Sequence, residues 1–259
     1  MVTRDTAWAA GTPCWVDLGV TDIPGAQAFY ADLLGWDCQT GTPESGGYSM
    51  CLRSGRPAAG IGPKMGPPDT PSVWMTYLAT DDADQTAARI KAAGGQVISE
   101  PFDVMDVGRM AVAADPADAV FGIWESRAHS GIGVANEPGA LTWNENMSRG
   151  YDGNMAFYQD VFGYDFVDMS ADGFRYATMK VNGEDVGGIG ELGPEFPPDM
   201  PASWTAYFAV QDADATIAKT TQLGGSLLRP AWDTPYGRMA VIADNQGAAF
   251  AIIGAAPAP

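Results

Sequence analysis

Histidine is nearly absent from this chain, which has only His129. With a single histidine no Ser-His-Asp arrangement can be built. Cysteine is scarce as well: Cys14, Cys38 and Cys51 all fall in the first quarter, and no two form a CxxC pair. An odd, one-sided set is not the spacing of a disulfide framework. The three thiols therefore read as small buried apolar residues of a protein in a reducing, cytoplasmic setting. Positive charge is short, with 14 Lys+Arg against 32 Asp+Glu and a net charge of −18. No basic stripe exists to neutralise phosphates, which argues against a nucleic-acid partner and against an anionic membrane surface. Long apolar runs are missing too, and the opening Met1–Asp5 lacks the pattern of a secretion signal, so neither a membrane span nor export is expected.

What is present is enough hydrophobic sequence for a real core, 46% of 259 residues, a length that suits two domains of ordinary size. The pentapeptide Gly-Arg-Met-Ala-Val occurs twice, at Gly108–Val112 and Gly237–Val241, and each copy runs on to an aspartate, Asp115 and Asp244. Other features repeat at nearly the same offset. Ala28-Phe29-Tyr30 returns as Ala156-Phe157-Tyr158 (157 − 29 = 128), Trp74 and Tyr77 return as Trp204 and Tyr207 (204 − 74 = 130), and Gly94-Gly95 returns as Gly224-Gly225. An offset this constant over most of the chain indicates duplication. The expected division is a first domain at 1–127, a linker of small residues at 128–139 and a second domain at 140–259.

Each half reads as two similar units. Trp15–Val20 alternates, with Val16, Leu18 and Val20 on one face and Trp15 and Asp17 on the other. Asp22 is a candidate N-cap for a helix with Pro24 in its first turn, an apolar stripe through Phe29, Tyr30 and Leu34, and a stop at Gly35. A hairpin follows through Ser54-Gly55, then a proline-rich connector at Gly62–Pro71. The second unit runs from the strand at Trp74 through a helix opened at Asp82 to Gly94-Gly95 and then to the repeated pentapeptide. Asn182-Gly183 marks the hairpin turn of the third unit. The pattern gives four βαβββ modules, an α+β fold. The match of Gly188–Gly193 to GxGxxG is discounted, because Pro194, Pro197 and Pro198 follow it instead of a helix.

A strand ending in Asp22, a helix carrying Phe29, Tyr30, Leu34 and Gly35, then Asp82, Gly94, Gly95, Asp115 and Pro116, resembles the vicinal oxygen chelate superfamily. Phe157, Tyr158, Gly163, Asp212, Gly224, Gly225 and Asp244 form the second set. That superfamily includes glyoxalases, extradiol dioxygenases and bleomycin-resistance proteins. The resemblance covers nearly the whole chain and is nearest to tandem glyoxalase-like proteins. It implies two open β-barrels, or bowls, with helices outside. Its metal-using members place His, Gln or Glu at set strand positions. Counting back seven residues from Asp22, Asp82 and Asp212 lands on Trp15, Met75 and Thr205, and counting seven forward from Asp115 and Asp244 lands on Gly122 and Ala251. None of these is a good divalent-cation ligand, so neither a metal nor another cofactor is expected.

On the face where the resemblance puts ligands, the first bowl offers Trp15, Asp17, Met75, Tyr77, Arg109 and Trp124. The second offers Trp143, Glu145, Thr205, Tyr207 and Arg238. Aromatic area with a few polar groups suits a small molecule, and the same aromatics also suit core packing. Asp17 and Glu145 are candidate catalytic bases, or else partners of the in-register arginines or solvated. Arg109 and Arg238 either anchor a ligand or pin the loop before their strand. The leading expectation is metal-independent binding of a small apolar or aromatic molecule, antibiotic or metabolite, by a monomer or homodimer. The alternative is a metal-independent tailoring enzyme, a hydroxylase, isomerase or lyase acting on a polyketide-like or carbonyl substrate; metal-dependent glyoxalase or dioxygenase chemistry ranks below both.

Overall fold

The structure is a computed structural model and describes residues 2–64 and 70–255. Of the connector expected at Gly62–Pro71, residues 65–69 lie outside the described residues, as do Met1 and residues 256–259. After the short strand β1 (Val2–Thr3), the first module is β2 (Pro13–Val20), α1 (Ile23–Leu34), β3 (Asp37–Thr40), β4 (Ser49–Arg53) and β5 (Arg56–Pro63). The second is β6 (Val73–Thr80), α2 (Ala83–Ala92), β7 (Gln96–Val104), β8 (Gly108–Ala114) and β9 (Val120–Ser126). After β10 (Val134–Ala135), the third is β11 (Leu141–Ser148), α3 (Tyr151–Phe162), β12 (Asp165–Asp168), β13 (Tyr176–Val181) and β14 (Glu184–Glu191). The fourth is β15 (Ser203–Ala209), α4 (Ala213–Gln222), β16 (Ser226–Thr234), β17 (Gly237–Ala243) and β18 (Ala249–Gly254). Four βαβββ modules are therefore present, as the repeats predict.

The helix ends follow from local chemistry. The Asp22 carboxylate accepts the Gly25 amide at 3.0 Å, and Gly35 closes α1 in the left-handed conformation at φ 71°. Asp82 and Asp212 cap α2 and α4 in the same way, accepting from Gln85 and Ala215. Asn182 and Gly183 both take positive φ, 53° and 84°, as a tight primed hairpin turn requires.

The modules of one half pair with each other. The first sheet has the order β3-β4-β5-β2-β6-β9-β8-β7, with β2 antiparallel to β6 at its centre. The main path of the second is its repeat, β12-β13-β14-β11-β15-β18-β17-β16. β1 also joins the second sheet, pairing with β10, which runs parallel to β11. One face of each sheet packs on helices and on the other half. Both hydrophobic clusters mix the two halves. Trp36 and Trp74 pack on Phe208, and Phe121 packs on Phe157 and Tyr158. The opposite faces line the two bowls.

The cysteines depart from expectation. Cys38 and Cys51 face each other across β3 and β4 and are joined as a disulfide, while Cys14 is a buried free thiol. A pair separated by 13 residues becomes a cross-strand neighbour once the hairpin forms, a proximity that linear spacing does not show. With two of the three cysteines paired, thiol content is no sign of a reducing compartment. Among the described residues, no helix is long and apolar enough to cross a membrane.

Candidate functional site

The floor of each bowl is built from the two central strands. Register places Trp15 opposite Tyr77 and Asp17 opposite Met75; in the second half Trp143 stands opposite Tyr207 and Glu145 opposite Thr205. Partners in antiparallel register share a face, so all eight project to the bowl side. On β9, Gly122 is in register with Tyr77, and Trp124 lies two residues further along the same face.

Around each carboxylate the same polar arrangement appears. In the first bowl the Tyr77 hydroxyl donates to Asp17 Oδ2 at 3.0 Å, and the Tyr48 hydroxyl approaches the same oxygen at 3.4 Å. The Trp15 indole N–H donates to the Tyr48 hydroxyl at 2.8 Å. In the second bowl the Tyr207 hydroxyl donates to Glu145 Oε2 at 2.7 Å, the Tyr176 hydroxyl stands near the same carboxyl and acts on its proton affinity, and the Trp143 indole donates to Tyr176 at 3.0 Å. The unit Trp–Tyr–carboxylate–Tyr is thus duplicated, with 143 − 15, 176 − 48 and 145 − 17 all equal to 128.

Tyr48 and Tyr176 were not expected at the site. Their places depend on glycines: a Cβ at Gly60 would overlap the Tyr48 hydroxyl, and one at Gly188 would overlap that of Tyr176. Gly62 and Gly190 lie under the same two rings. The signal available in the sequence was a repeated Gly-Ile-Gly, at 60–62 and 188–190, each 12 residues after its tyrosine (60 − 48 and 188 − 176). Gly188 and Gly190, the first glycines of the discounted GxGxxG match, form a bed for an aromatic ring.

The carboxylates are unusual electrostatically. Burial pushes Asp17 up to about 7, against the opposing hydrogen bonds from Tyr77 and Tyr48. Burial likewise raises Glu145 above the ordinary range, opposed by Tyr207, Tyr176 and the charge of Arg229. Both side chains are crowded by protein yet keep some accessible surface. That combination describes a group deep in a concavity and not sealed in a core.

The arginines are a correction. Arg109 donates to both Asp84 carboxylate oxygens, at 2.9 and 3.0 Å, and to Asp103 at 2.9 Å; Arg238 does the same with Asp214 and Asp233. Asp84 and Asp214 lie in the first turns of α2 and α4, so both arginines stand on the helix side of their strands. They line neither bowl, and neither carboxylate is paired with its in-register arginine. Trp124 is on the bowl side, but its indole N–H is bonded to the His129 carbonyl at 2.9 Å, which ties it to the segment after β9.

Two cavities open away from the carboxylates, one of 190 Å³ lined by Trp8, Cys14, Thr80, Trp124 and Ser130 and one of 350 Å³ between the end of α1 and the start of α4. Neither is lined by Asp17 or Glu145. Among the described residues no three His, Cys, Asp or Glu side chains come together, so the donor set for a divalent cation is not assembled in either bowl.

The sequence profile of the Glyoxalase/Bleomycin resistance protein/Dioxygenase superfamily matches residues 13–123 and 146–252. The chain belongs to this superfamily. Over 98% of both chains it is 40% identical to CFP32 of Mycobacterium tuberculosis, a protein with a provisional glyoxylase name. It is 35% identical to the anthracycline biosynthesis protein DnrV of Streptomyces peucetius, over 96% of this chain and 94% of that one. The Mn(II)-bound glyoxalase of Novosphingobium aromaticivorans superposes with a TM-score of 0.64 at 16% identity, covering 96% and 88% of the two chains, a likeness of fold. The superfamily member described here is a tandem duplication in which both copies keep the fold and carry tyrosine-bonded carboxylates in the bowls.

Proposed function

We propose that this superfamily member binds a small, planar, largely aromatic molecule in a bowl, without metal. The observation that carries the reading is the duplicated Trp–Tyr–carboxylate–Tyr floor. Indole and phenol rings supply flat apolar area, and the carboxylate supplies one directional acceptor in a low-dielectric site. The relation to an anthracycline biosynthesis protein supports a polycyclic, hydroxylated ligand class. With a net charge of −18, neutral or cationic molecules approach more readily than anions.

The test is calorimetric titration and thermal shift on chelator-treated protein with a panel of hydroxyanthraquinones and hydroxynaphthalenes. Expected are saturable binding that excess chelator does not change and a roughly tenfold weakening in Glu145→Gln, the size of one charge-assisted hydrogen bond. If no member of the panel raises the melting temperature, or if binding appears only on adding a divalent cation, the reading fails.

A second reading is favoured by the raised carboxyls. A carboxyl whose proton affinity burial raises, beside tyrosine hydroxyls, suits proton transfer next to a carbonyl, as in an isomerase or lyase acting on a polyketide-like substrate. Glu145 would move the proton and Tyr207 would polarise the carbonyl. Solvent-deuterium exchange into a bound ketone, abolished by Glu145→Gln, would favour this reading over simple binding.

A further inference from the structure

The two bowls differ most where the segment after β9 crosses the first one. The amides of Arg127 and His129 both donate to the Val107 carbonyl, at 3.1 and 3.0 Å. The Ile132 amide donates to the Cys14 carbonyl at 2.8 Å, so the segment is fastened on both sides of the opening. Between these points the His129 ring stands edge-on to Trp15, centroids 4.4 Å apart at 87°, and 5.5 Å from Trp124 at 67°. Its Nε2 atom is buried with no hydrogen-bond partner, and burial holds the imidazole neutral, down to about 4. A buried polar nitrogen without a partner costs free energy, so Nε2 bonding does not explain where the ring sits. The backbone of His129 is bonded to the Val107 carbonyl and to the Trp124 indole, and the ring itself packs between two bowl-lining indoles.

The second bowl has a different rim. Trp143 is half-buried where Trp15 is 3% exposed, and Ile253 (124 + 129) stands where Trp124 does and is half-buried too. Near Tyr176 the ring of Tyr236 is 69% exposed, a high value for a large aromatic side chain. The Arg229 guanidinium lies 4.0 Å from the Trp232 ring centroid, and its charge reaches Glu145 and Tyr207.

We infer that His129 is the first bowl's own occupant, an aromatic ring seated where a guest would stack, and that the second bowl is the site open to a ligand. The ligand class is an uncharged or cationic planar aromatic with a hydroxyl on its edge. The ring lies along Trp143 and the apolar rim, and the hydroxyl donates to Glu145. This assignment deepens the proposed function and rests on it for the second bowl; the occupancy of the first bowl stands apart from it.

The full chain labelled with 5-fluorotryptophan separates the two parts, since its eight tryptophans give resonances assignable by Trp→Phe substitution. With 2-naphthol as probe, the Trp143 resonance shifts on saturation while those of Trp15 and Trp124 stay in place. The probe 2-methoxynaphthalene, which lacks the donor, binds at least tenfold more weakly. In His129→Gly, or in the milder His129→Ala if the first does not fold, the Trp15 and Trp124 resonances move. Millimolar imidazole then returns them to their original positions without affecting Trp143. Imidazole with no effect on either variant overturns the occupancy of the first bowl, and so do naphthol shifts at Trp15 or Trp124 in the unaltered protein. If naphthol moves no tryptophan resonance, the binding reading and the second-bowl assignment both fall, while the imidazole result still decides the role of His129.

Discussion

Asp17 is held near neutrality by the cost of placing a charge among Trp15, Tyr48 and Tyr77, and that cost appears in the pH dependence of stability. Its folded value of about 7 lies above the ordinary 3.8, so the folded state keeps the proton over a window in which the unfolded chain has lost it. The stabilisation is complete below about pH 4 and declines as pH rises through 7. His129 works in the opposite direction: its folded value of about 4 lies below 6.5, so its contribution is present above pH 6.5 and fades as pH falls toward 4. The two trends overlap, and a single melting curve against pH does not separate them. The comparison of Asp17→Asn with the parent does. The variant is expected to lose the downward slope between pH 4 and 7 and to gain on the order of 2–4 kcal/mol relative to the parent at pH 8, measured by urea denaturation. Equal slopes in the two proteins would show that Asp17 ionises normally.

At the scale of elements, the glycine pairs on β5 and β14 let a tyrosine lie flat across a strand and reach the carboxylate on the next one. Gly188→Ala is expected to push the Tyr176 hydroxyl away from Glu145 and Trp143, weakening naphthol binding several-fold at a stability cost of about 1–3 kcal/mol. Isothermal titration beside thermal denaturation reads both, and unchanged affinity would remove Tyr176 from the site. The sequence shows the local parts of this arrangement: strand alternation puts Trp15 and Asp17 on one face, and capping aspartates fix where the helices begin. It does not show that Tyr48, just before β4, reaches across to β2, because that depends on the parallel pairing of β2 with β5 across an intervening helix. The position of Arg109 was more accessible. Alternation gives it the face of Ala111 and Ala113, both fully buried on the helix side, and the small size of those neighbours was the available clue. The Cys38–Cys51 pair depended on hairpin register, which composition does not report.

Across the whole molecule the duplication becomes an approximate two-fold arrangement held by two matching networks. The Tyr30 hydroxyl donates to Asp244 at 2.9 Å and accepts from the Trp74 indole; the Tyr158 hydroxyl donates to Asp115 at 2.9 Å and accepts from the Trp204 indole. Asp115 also accepts from the Ala117 and Ala119 amides and from Asn146 and Asn154, which leaves this buried carboxylate fully bonded. The aspartates that follow the repeated pentapeptide thus clamp a turn of their own half and join it to the other. Asp115→Ala removes the acceptor shared by five donors, leaving the Ala117 and Ala119 amides without their carboxylate partner, and is expected to cost on the order of 3–5 kcal/mol. Because both clusters mix the halves, unfolding followed by tryptophan fluorescence and by circular dichroism should remain one coincident transition. Separate transitions for the two probes would mean that the halves melt independently.

The short pairing of β1 with β10 sets an order of events on the ribosome. Val2 and Thr3 find their partners only at Ala135 and Val134, and the Trp8 indole bonds the carbonyl of Ile132. More than a hundred further residues must emerge before Val2 and Thr3 have anything to pair with. The segment that seats His129 between Trp15 and Trp124 is made within the same stretch. Trp124 and His129 are five residues apart, so the wall of the first bowl and the ring seated against it leave the exit tunnel almost together, while Trp15 has waited uncovered among whatever aromatic molecules surround it. Such a molecule, if abundant during synthesis, would compete with the chain's own imidazole for the place.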